Sequence, residues 1–96
     1  MEVLPVARIA IEGIEIAIVF PDSSFEDETG PEKLADFAAF QSNAAAAGLP
    51  HTIAVVWQDR AGRTKFLAPP LQHAFFQVIA YDQLAAQINT TLNCQK

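Results

Sequence analysis

Two charged clusters hold most of the chemistry this chain could do. The first is acidic and comprises Glu26, Asp27, Glu28 and Glu32. Neighbouring carboxylates can present paired oxygens to a cation, or mimic phosphates toward a basic partner. Their position also has a plainer account. Thr29 and Glu32 stand at the S/T-x-x-E spacing of a capping box, and Asp27 and Glu28 lie where a helix dipole favours acids. The glycine turn that spaces the oxygens of a divalent-ion loop is missing. The acids therefore read first as a helix start.

The second cluster is basic. Arg60, Arg63 and Lys65 stand close to Trp57 and Phe66. Cations beside aromatics on a β-hairpin are one way to hold single-stranded nucleic acid or an acidic peptide. A formal net charge of −5 argues against nucleic acid. The plainer reading is an exposed turn with Lys65 lying over Trp57. Trp57, Arg60, Arg63 and Lys65 are the candidate binding residues.

The remaining reactive side chains are scattered. His51, His73 and Cys94 share no metal-ligand spacing such as C-x-x-C or H-x-x-x-H, so no metal is expected. Cys94 reads as an incidental thiol. Ser23 and Ser24 lack the G-x-S-x-G elbow of a serine hydrolase. Gly13, Gly30, Gly48 and Gly62 each mark a turn or a helix end and form no phosphate-binding loop. The pattern leans toward a protein without catalysis or cofactor.

Composition narrows the class. The 96 residues are expected to form one domain, 1–96. Hydrophobic residues make up 51 % and charged residues 18 %, against an average near 25 % charged. Apolar surface should be left over for a partner or a second copy. Charge is uneven: residues 1–36 carry nine acids and two bases, whereas residues 37–96 carry two acids and four bases. A single cysteine excludes an internal disulfide and suits a reducing cytosol. Met1-Glu2 is not the basic start of a signal peptide. The longest aliphatic or aromatic run is about five residues, far below the roughly 20 of a membrane span. A cytoplasmic location with no membrane partner is the expectation.

The elements that must position these residues follow from periodicity. Residues 4–11 and 14–20 alternate in steps of two about Gly13, which predicts a hairpin with a two-residue turn. Arg8 can reach Glu15 diagonally across it. Pro21 to Gly30 reads as a loop, and a helix follows over 31–47, stopped by Gly48 and Pro50. A helical wheel places Leu34, Phe37, Ala38, Phe40, Ala44 and Ala45 on one face, with Gln41 inside it. A second hairpin, 52–58 and 63–68, turns at Asp59-Arg60-Ala61-Gly62 and pairs Val55 with Leu67, Val56 with Phe66, and Trp57 with Lys65. After Pro69-Pro70, Leu71, Phe75, Val78 and Ile79 keep helical spacing. Asp82 looks like the N-cap of a last helix, 82–92, which buries Leu84, Ala85, Ile88 and Leu92. Whether 69–92 is one kinked helix or two is open. Asn93 to Lys96 reads as a frayed tail.

The resulting order, ββαββαα, predicts an α+β two-layer sandwich. Its four-stranded, largely antiparallel sheet should carry helices mainly on one face. Strands apolar on both faces would then leave one face for a partner. The leading expectation is a small non-catalytic interaction protein that forms a homodimer or binds a regulatory protein. The alternative is a small-molecule-binding domain or small enzyme, with a pocket between sheet and helices lined by Phe37, Gln41, Trp57 and Phe75.

Overall fold

Alternation and glycine turns build the sheet. In the computed structural model, which describes residues 2–94, β1 (Glu2–Ile11) and β2 (Ile14–Val19) form the expected first hairpin. Glu12 and Gly13 both take positive φ, 51° and 80°, the pair of values a type I′ turn requires. Its register, Val6↔Val19 through Ile11↔Ile14, sets Arg8 diagonal to Glu15, and the two pair at 3.5 Å. The second hairpin joins β3 (Ile53–Gln58) to β4 (Thr64–Leu67) in the register read from the sequence, Val55↔Leu67, Val56↔Phe66 and Trp57↔Lys65.

Between the hairpins runs α1 (Gly30–Ala46), entered through the Thr29/Glu32 capping box. The helix returns the chain to the end of the sheet where β2 began, so β3 lies beside β2 in parallel, with Ala17↔Ile53 and Val19↔Val55. The sheet is therefore mixed. Beyond β4 come a 3-10 turn (Pro70–Gln72), α2 (His73–Val78), α3 (Tyr81–Ala85) and a fifth strand, β5 (Thr90–Cys94). The strand order is β4-β3-β2-β1-β5. Over the described residues the protein is an α+β fold with a five-stranded mixed sheet and three α-helices.

Three expectations are corrected here. The last helix is not 82–92: it ends at Ala85, and residues 90–94 pair antiparallel with β1 instead. Asn89-Thr90-Thr91 is poor helix material, and the two threonines favour a strand. Asn89 starts the pairing, its side chain accepting from the Arg8 amide (2.9 Å) and donating to the Arg8 carbonyl (3.0 Å). Asn93 and Cys94 thus belong to a strand rather than a frayed tail, and residues 95–96 lie outside the described residues. The N-cap of α3 is Ala80, whose amide donates to the Gln83 side chain, while Asp82 sits in the first turn. Ile79 is extended and separates α2 from α3, which decides the open choice in favour of two helices.

The two-layer expectation also falls. One face of the sheet packs Leu4, Val6, Val19, Ile53, Val55, Trp57 and Leu92 against Phe40 and Ala44 of α1, with Phe25 between. The opposite face packs Ala7, Ile16, Ile18, Ala54 and Val56 against Phe76 of α2 and Leu84 of α3. Both faces are covered by the chain's own helices. The association expected from an open sheet face loses that basis.

Candidate interaction site

The two charged clusters lie side by side. Asp59 opens the β3–β4 turn, and its buried carboxylate accepts from the amides of Ala61 and Arg63, each at 2.9 Å, and from Arg63 Nε at 3.1 Å. The bond from the Arg63 backbone is the chief reason this carboxyl is held below its ordinary range. The turn sets Arg60 against Asp27 of the acidic loop, and the two form an ion pair that raises the guanidinium pKa. A polar cleft of about 200 Å³ lies between the loops, lined by Ser23, Glu26, Asp27, Gln58, Asp59 and Arg60. Arg60 and Arg63 are thus held by carboxylates of the chain itself.

Trp57 is buried, with Nε1 donating to Glu26 Oε1 at 3.0 Å and its ring edge-on to Phe25 at 4.8 Å. The cation over it is Lys33, not Lys65. Lys33 Nζ lies 5.8 Å from the Trp57 ring and donates to the carbonyls of Glu26 and Glu28. Lys33 tethers the acidic loop to α1, a role the sequence pattern did not single out. Lys65 stands exposed on β4.

The four pocket candidates line no common cavity. Phe37 and Trp57 pack on the α1 side of the sheet, and Phe75 on the α2 side. Gln41 points to solvent. The helix buries a narrower stripe than the wheel implies, centred on Phe40 and Ala44, while Leu34, Ala38 and Ala45 stay exposed. Lys33 fixes that rotation, because its two carbonyl bonds hold the first turn against the loop. His73 Nε2 sits 2.8 Å from the Ala68 carbonyl, and its ring meets Phe66 edge-on.

The site that side-chain spacing hid lies on α2. Phe76 faces the sheet and stacks on Phe66 at 5.4 Å. Leu71 and Val78, read from their spacing as part of the same apolar face, point the other way and are 84 % and 85 % exposed. Val78 also lines a groove of about 550 Å³. Gly62, Arg63, Thr64 and Phe66 form one wall, and Phe76 to Ala80 the other. The amide of Tyr81 donates to Thr64 Oγ1 at 2.8 Å and holds α3 at the end of β4. The clue in the sequence was apolar residues on two sides of one short helix, Val78 against Phe76, with Leu71 in the turn before it. No protein-family model, curated protein or solved structure matches the chain. The site is therefore read from its own geometry. No helix among the described residues is long and apolar enough to cross a membrane.

Proposed function

We propose that this chain is a non-catalytic interaction module that binds another protein through the α2 face and the groove beside β4. One observation carries the reading: Leu71 and Val78 stand almost fully exposed, and Val78 lines the groove beside β4. Burying a side chain of that size in a contact contributes about 1.5–3 kcal/mol. The chain's own core does not need these two residues, since Phe76 and Leu84 already close that face of the sheet. The charged hairpin adds one group on the opposite face of β4. Arg60 and Arg63 are engaged within the chain, which leaves Lys65 as the cation available on β4.

The test is capture of interacting proteins by wild type and by a Leu71→Ser/Val78→Ser double variant. Both sites are exposed, so the variant should keep the wild-type unfolding midpoint. Loss of specific captured proteins by the folded variant is the expected result. Equal capture by both proteins would contradict the reading.

A further inference from the structure

We infer that the free edge of β4 takes an extended, acidic segment of a partner protein as an added strand, an inference that rests on the interaction reading above. The backbone states which groups are available. Asp59 N–H donates to the Arg63 carbonyl, and Gly62 N–H to the Asp59 carbonyl. With the register Trp57↔Lys65, the antiparallel alternation makes Trp57 and Lys65 a hydrogen-bonded pair. The N–H and C=O of Thr64 and Phe66 then point away from β3, to the outer edge. Among the described residues no strand lies beyond β4. Such an edge recognises an extended backbone, and its flanking pockets select alternate side chains.

The surroundings define that occupant. On one face of the added strand, side chains enter the groove against Phe66, Phe76, Val78 and Ile79, which selects apolar residues. On the other face they meet Lys65. The groove lining holds one charged side chain, Arg63, and no carboxylate. The complementary segment therefore alternates apolar and acidic residues. A second copy pairing through its own β4 would bring another Arg63 and Lys65 to the same edge, and like charges across a strand pair are unfavourable.

The experiment selects random ten-residue linear peptides, by display, on the full chain. Enriched peptides are then synthesised, and amide exchange is followed residue by residue. The expected outcome is enrichment of alternating apolar and Asp/Glu residues. Bound peptide should slow exchange at Thr64 and Phe66, and Lys65→Glu should weaken binding about tenfold. Enrichment of basic peptides, protection confined to other residues, or no enrichment would overturn the inference. Protection of the same amides that rises with protein concentration alone would assign the edge to a second copy and overturn it too. If protein capture depends on Leu71 and Val78 while Thr64 and Phe66 exchange unchanged in the complex, strand addition fails and the interaction reading stands. If capture is indifferent to those two residues and no peptide is enriched, both fail.

Discussion

At the turn between β3 and β4 a single carboxylate ties together two other residues, Ala61 and Arg63. Asp59 accepts from two amides and one guanidinium, and these bonds favour its charged form. Its folded-state pKa is lowered, so the stabilisation is present above the ordinary carboxylate range and is lost as pH falls through the folded value. Thermal unfolding across an acid series should show wild type losing stability on that descent, and Asp59→Asn should flatten the dependence. Gly62 completes the turn at φ 81°, where an added Cβ would meet nothing within 4 Å. The penalty for a side chain there is conformational rather than steric crowding by neighbours. Gly62→Val should cost about 1 kcal/mol or more, and Gly62→Asn distinctly less, by denaturant unfolding. A third residue, Asn89, replaces a strand residue with its side-chain amide at the Arg8 backbone. Asn89→Ala should cost on the order of 1 kcal/mol and speed exchange at the Arg8 amide.

Among the elements, α1 depends most on its first turn. Thr29 and Glu32 satisfy each other's backbone amides, and Glu32 is held below its ordinary pKa chiefly by the bond from the Thr29 amide. Thr29→Ala should lower stability by about 1 kcal/mol, read as a shift in denaturant midpoint. Both hairpins and this cap were legible in the sequence because each rests on local chemistry: glycine at positive φ, strict alternation, and the S/T-x-x-E spacing. β5 was not legible, because Ile88 and Leu92 are four apart and satisfy a helix as well as a strand does. Its identity depends on pairing with β1, from Val6↔Thr90 to Glu2↔Cys94, which no local pattern encodes. The rotation of α1 was hidden for another reason. Alanine contributes little burial energy, so Phe40 and the Lys33 tether decide which stripe faces the sheet. Leu71 and Val78 misled by the same ambiguity: their spacing announces an apolar stripe and does not say whether it faces the core.

At the scale of the whole molecule, two helical layers close both faces of the sheet, and the most exposed large apolar side chains are Leu71 and Val78 near α2, followed by Leu34 on α1. Sedimentation of the free protein should therefore report a mass near the 10.4 kDa of one chain. A larger, concentration-dependent mass would make Leu71 and Val78 a self-contact. An added strand requires the β4 edge to stand open beside the groove. Amide exchange along residues 64–67 in the dilute free protein reports on that edge. Fast exchange at Thr64 and Phe66, alternating with slow exchange at Lys65 and Leu67, is the predicted result. Slow exchange at all four would mean the edge is already paired, and would contradict strand addition.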